Sequence, residues 1–269
     1  MYKIEDGILY ITLVEQTMDD YKTCLEMNNE CRTLEISSNK PFEIKHIPRN
    51  IKKIIIYGFV LNITNLPYHI EDIEYHIYSH SKIINLDYLP ICLKKLRLLN
   101  YEDVHTELNY LPVNLILLDI VSFQNIDKIP CFENVSSLPP SLKSLLISSS
   151  KCDLNNLPLN LQYLKATTDN MSIINLPINL RTLILSFTSK PIIILPSTIQ
   201  TLYLHNVYRQ SYMINNWPTR LEKLTLFGPI TKESIPSNLE YLEVNNYILD
   251  SKTKYYLENY KNIRFIENN

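Results

Sequence analysis

The sequence predicts an α/β-type repeat solenoid that is mostly β, and three observations predict it. One frame recurs along the 269 residues: an apolar residue, Pro, two residues, apolar, two residues, apolar, one residue, apolar. Ten copies are anchored by a proline (Pro48, Pro67, Pro90, Pro112, Pro139, Pro158, Pro177, Pro196, Pro218 and Pro236), at spacings of 18 to 27 residues with 19 the commonest. The frame closes on a period-two alternation, which turns its last two apolar side chains to the same side of a short strand. A unit this short cannot bury its own apolar face, so stacked copies must share one core.

Taken in order, residues 1–27 read as an N-terminal cap. A strand-like ILYITL (8–13) is followed by DDYKTCLEM (19–27), whose acidic start suits a helix N-terminus. The solenoid then runs over 28–250. Its rungs open with CRTLEI (31–36), which lacks the proline, and continue through IPRNIKKIII (47–56), LPYHIEDIEY (66–75), LPICLKKLRL (89–98) and LPVNLILLDI (111–120). LPPSLKSLLI (138–147), LPLNLQYLKA (157–166), LPINLRTLIL (176–185), LPSTIQTLYL (195–204), WPTRLEKLTL (217–226) and IPSNLEYLEV (235–244) complete the proline-anchored set. In residues 251–269, Ser251 is placed to N-cap a helix over KTKYYLENY, and IRFIE gives a last strand, making about twelve rungs.

Each position of the frame has a physical reason. Proline fits before a strand, where its missing N–H removes no ladder bond. It also biases the preceding residue toward extended backbone, which aims that Leu, Ile or Trp inward; Trp217 is read as core on this ground. A further apolar residue four before the proline (Ile44, Ile63, Leu86, Leu108, Val135, Leu154, Ile173, Ile192, Ile214) supplies the core contact of the return arm. A 19-residue rung is too short for a regular helix there, so extended or 3₁₀ segments are expected.

Composition narrows the function. With 26 basic and 28 acidic residues the formal net charge is -2, which argues against a nucleic-acid partner. Three scattered glycines exclude the usual phosphate-cradling loops. Five irregularly spaced cysteines make neither a disulfide framework nor a zinc site, and no metal or cofactor is implied. The N-terminus does not read as a signal peptide, and no apolar run is long enough to span a membrane. The expectation is a cytoplasmic chain with no membrane contact, a monomer rather than an oligomer.

The frame L-P-x-x-L-x-x-L-x-L resembles the Phe-Asn-Ile-Pro (FNIP) branch of leucine-rich repeats, abundant in giant viruses and social amoebae. The resemblance covers about residues 28–266, although the naming Phe-Asn dipeptide and the glycine after the strand are missing. Asn100, Asn206 and Asn246 lie near the place of the asparagine ladder of standard leucine-rich repeats but not in register. LPPSLKSLLIS (138–148) is similar to bacterial LPX-type leucine-rich-repeat effectors. The resemblance implies a leucine-rich-repeat array with parallel strands on the concave face, short irregular convex arms, helical caps, and an interaction role in the cytoplasm, that of the host if the protein is viral. Some of those effectors add a C-terminal ubiquitin-ligase domain with a catalytic cysteine, and no cysteine follows Pro236 here, so that activity is not implied.

The fifth, seventh and ninth residues after each proline point away from the core. From Pro139 onward they include Leu146, Tyr163, Lys165, Ile184, Tyr203, His205, Phe227 and Tyr241, expected to form an exposed protein-binding patch. The alternative is that β propensity alone places Tyr, Ile and Thr on strands. In the earlier rungs the same positions hold Lys53, Asp72, Glu74, His76, Lys95, Arg97 and Asp119, which are expected to pair across strands. His76 and His80 read as a solvated pair, and Cys31 and Cys92 as core. No catalytic constellation is present. The leading function is therefore a non-enzymatic module binding an unidentified protein, and the competing one a self-assembling structural protein such as a virion component.

Overall fold

The computed structural model describes residues 2–13, 30–44, 47–62, 66–78, 83–85, 88–101, 105–107, 110–122, 138–148, 154–168, 172–187, 192–206, 213–214, 216–227, 236, 239–245 and 263–266. The chain divides into two compact units, one of residues 1–131 with 137–142 and the other of residues 132–136 with 143–269.

The first unit opens with β1 (Tyr2–Glu5) and β2 (Ile8–Leu13), an antiparallel hairpin. Its turn is Asp6-Gly7, both with positive φ (50° and 75°), the pairing that matches the right-handed twist of the flanking strands. β3 (Thr33–Glu43), β4 (Lys53–Asn62), β5 (Asp72–Ile77), β7 (Lys95–Asn100) and β9 (Leu117–Ser122) follow in parallel. β6 (Ile83–Asn85) and β8 (His105–Glu107) pair with each other on the return arms. In the second unit the parallel series is β10 (Ser144–Ser148), β11 (Tyr163–Thr168), β13 (Thr182–Phe187), β15 (Thr201–Asn206), β17 (Lys223–Phe227), β18 (Tyr241–Asn245) and β19 (Ile263–Ile266). Its return arms carry a 3₁₀ turn over Leu154–Asn156 and the short parallel strands β12 (Ser172–Ile173), β14 (Ile192–Ile193) and β16 (Met213–Ile214). The molecule is thus a mostly-β parallel solenoid.

Register follows the frame residue for residue. Leu164, Leu183, Leu202, Leu224 and Leu242 align across β11 to β18, as do Ala166, Leu185, Leu204, Leu226 and Val244. All ten are buried. The proline carbonyl closes a turn by accepting the N–H of the apolar residue three ahead, as in Leu161 to Pro158 (3.0 Å) and Leu180 to Pro177 (3.1 Å). That bond explains the two-residue gap in the frame, whose occupants are the turn's central positions.

The second of those two positions also ties rung to rung. Asn179 Nδ2 donates to Leu159 O (3.0 Å) and Asn114 Nδ2 to Ile91 O (3.3 Å). Thr198 Oγ1 donates to Ile178 O and Leu180 O, and Ser141 Oγ to Val113 O and Leu115 O. Asn50 Nδ2 reaches Cys31 O at 2.7 Å, and His69 Nε2 lies 3.0 Å from Pro48 O. A ladder of short polar side chains therefore runs at the turn.

Several expectations change. The parallel ladder begins one strand before the first recognised rung, because β2 pairs in register with β3 (Leu9 with Leu34, Ile11 with Ile36). On the third return arm of the second unit the core residue is Ile193, fully buried, and Ile192 is 44% exposed. Three consecutive isoleucines there left the spacing a choice, and pairing with Ile173 and Ile214 selects the middle one. Trp217 is half-buried rather than core. Cys92 is half-buried too, since it occupies the polar turn column, whereas Cys31 is buried as expected. No α-helix occurs among the described residues, and the helices expected over 19–27 and from Ser251 lie outside them. So do Ile63, Leu86, Leu108 and Val135, whereas Ile44, Leu154 and Ile173 are buried.

Candidate protein-binding face

In the second unit, the strand residues that point away from the core form three rows across the sheet. The first holds Ser144, Tyr163, Thr182, Thr201, Lys223 and Tyr241. The middle row holds Leu146, Lys165, Ile184, Tyr203, Thr225 and Glu243, and the third Ser148, Thr167, Ser186, His205 and Phe227. Leu146, Lys165, Ile184 and Tyr203 are thus successive neighbours in one row. The Phe227 ring lies 5.4 Å from both the Tyr203 and His205 rings, tilted against the first and edge-on to the second. Tyr163 and Tyr241 stand in the first row on β11 and β18, apart from this cluster.

The apolar members are not exposed as the sequence suggested. Leu146, Tyr163, Ile184, Tyr203, Phe227 and Tyr241 are half-buried, and of the eight only Lys165 is exposed. Strands about 4.8 Å apart bring each side chain against its row neighbours, which cover its flanks. Burial, helped by the nearby Glu243, pushes the Tyr203 hydroxyl above its usual pKa, and burial pushes His205 below its own. Both are therefore neutral at pH 7. Glu243 accepts from Thr225 Oγ1 (3.3 Å) and pairs with Arg264 (3.6 Å).

The same face of the first unit is ionic. Glu74 stands 3.0 Å from His76 Nε2, 3.3 Å from Arg97 and 3.5 Å from Lys53. Burial alone would raise the Glu74 carboxyl, but the His76 hydrogen bond and the two cations hold it below the usual range. For Asp72, burial wins over Lys53, Lys95 and Arg97, and the carboxyl is raised. Cross-strand pairing is therefore what Lys53, Glu74 and Arg97 do. His76 is not solvated: it is 8% exposed, stacked on Tyr57 (ring centroids 4.2 Å apart) with Tyr101 at 5.9 Å. His80 lies outside the described residues, as do Cys131 and Cys152.

No family model and no curated protein matches the chain. Among solved structures, a crystal structure described as CroV588, a circular LRR protein, aligns with all of this chain (100%) at 19% identity and a TM-score of 0.54. The fold is of the leucine-rich-repeat type. This chain spans 41% of the length of that neighbour.

The leucine-rich-repeat frame also carries an apolar edge that sequence reasoning passed over. Among the described residues, the position after the frame proline is a solvent-facing turn position, and Tyr68, Ile91, Val113, Leu159 and Ile178 are all more than 60% exposed there. In the first unit Ile91 and Val113 join Tyr88 and Tyr110 around an open groove of about 500 Å³. Tyr88 is 82% exposed and holds a left-handed backbone (φ 66°), uncommon for a bulky residue. The signal was in the column itself: apolar residues recur at a position the frame leaves free.

Proposed function

We propose that this chain is a non-enzymatic protein-interaction module of the FNIP-like kind. It would act in the cytoplasm, capturing a host protein through the solvent face of the second unit's strand sheet. The observation that carries this reading is the in-register grouping of Ile184, Tyr203, His205 and Phe227 on three adjacent strands. Side chains fixed by a parallel ladder lose little further freedom on binding, so such a face binds at low entropic cost. Aromatic rings with a polar surround have the composition of binding hot spots. On the ionic face of the first unit, Glu74 engages Lys53, His76 and Arg97 and supplies rigidity instead.

A photo-crosslinking amino acid placed at Tyr203, and separately at Ile55 on the corresponding row of the first unit, tests this in cell extract. The expected result is a discrete crosslinked protein from the Tyr203 position alone. Equal crosslinking from both positions, or none from Tyr203, would remove the second unit's face as the binding surface.

A further inference from the structure

The charge pattern of this face points to the chemistry of its partner, an inference that rests on the face being the binding surface. Among the described residues, its three rows carry four charged side chains: Lys165, Lys223, Glu243 and Arg264. Glu243 and Arg264 satisfy each other, and Glu243 also holds the Thr225 hydroxyl. Lys165 and Lys223 are exposed and take part in no ion pair among the described residues. Lys165 is exposed between Leu146 and Ile184 in the middle row, where a lysine's methylene stem can cover apolar neighbours while its ammonium stays in water. Between the two lysines stand Ile184 and Tyr203, with Phe227 beside Tyr203. The first unit offers a contrast: there Lys53 and Arg97 are both engaged by Glu74.

We propose that the face binds an extended acidic segment of another protein, laid across the strands. One carboxylate would meet Lys165, an aromatic or aliphatic residue would rest on Ile184, Tyr203 and Phe227, and a second carboxylate would meet Lys223. Geometry sets the spacing. Lys165 and Lys223 lie on β11 and β17, three strand steps apart, so at about 4.8 Å per step the lysines are roughly 15 Å apart. An extended chain covers that distance in four or five residues at about 3.4 Å each. The segment therefore carries two acids four or five residues apart with an apolar residue between them. The apolar contact supplies the burial, and the two ammonium groups select for acidic over basic sequence.

Selection of a random dodecapeptide library on the full chain tests the proposal, with each selected peptide then measured by fluorescence anisotropy against variants. The expected peptides carry Asp or Glu at a separation of four or five around an apolar residue. Their affinity should fall at least tenfold in the Lys165→Glu/Lys223→Glu double variant and weaken with added salt. Both lysines are exposed, so the reversals leave the fold intact, which circular dichroism checks. Peptides lost in a Tyr203→Ser/Phe227→Ser variant but indifferent to the lysine reversals would overturn the acidic partner while leaving the binding face standing. Peptides indifferent to both variants, or a library that yields no binder, would overturn both.

Discussion

Glu74 joins His76 on its own strand to Lys53 and Arg97 on the two neighbouring strands, and the pH dependence of its contribution has a definite sign. Its folded pKa lies below the unfolded value, so its stabilisation is complete above the ordinary glutamate range and is lost as pH falls through the folded value. Glu74→Gln is expected to lower the unfolding free energy by about 1 kcal/mol at pH 7, the half-exposed setting discounting the ion pairs. In urea titrations the difference from wild type should shrink as the solution is acidified below that range. Asp72 behaves oppositely. Its raised folded pKa means that the ionised form is disfavoured in the fold, so Asp72→Asn should stabilise at pH 7, with the gain fading as pH falls through that value. A penalty for Asp72→Asn at neutral pH would contradict this. Gly58 is the other residue with a sharp expectation. It sits in β4 at φ 107°, and a Cβ there would overlap the Ser38 carbonyl oxygen of the adjacent strand. Gly58→Ala is expected to cost about 2 to 4 kcal/mol, from backbone strain and overpacking together, measured as a fall in the urea midpoint. A change within a few tenths of a kcal/mol would contradict the close approach of β3 and β4.

At the scale of the element, the rung was legible because proline, the inward leucines and period-two alternation all describe one short strand and its turn. Residues such as Leu183 and Leu185 needed nothing beyond their spacing to be placed in the core. The polar column at the turn was not seen, although Asn, Ser, Thr and His recur two residues after the prolines. Its role depends on which carbonyl the preceding rung presents, a relation between rungs that the spacing within one rung does not contain. Asn179→Ala is expected to cost about 1 kcal/mol, the loss of one amide-to-carbonyl bond to Leu159, measured by thermal or urea unfolding. No change would mean the column is ornament rather than a ladder. The slip from Ile192 to Ile193 has the same origin: a run of like residues carries no phase until a neighbouring arm supplies it.

For the molecule as a whole, the parallel solenoid followed from the repeat, whereas the surface it presents followed only partly. The frame placed Tyr203, His205 and Phe227 on one face, and they meet there. It overstated their exposure, because sideways cover from adjacent strands is invisible to a count of residues along the chain. It also missed the more exposed turn positions, such as Ile91 and Leu159, since the frame leaves that column unspecified. The two apolar surfaces make separable claims, and the central one is that partner capture belongs to the strand face of the second unit. The direct measurement is affinity capture from cell extract, read by mass spectrometry, with wild type, a Tyr163→Ser/Tyr203→Ser/Phe227→Ser variant and an edge variant, Leu159→Ser/Ile178→Ser. The account predicts one or a few proteins held by wild type and by the edge variant and lost from the triple variant. Retention by the triple variant with loss from the edge variant would contradict it and move the binding surface to the turns.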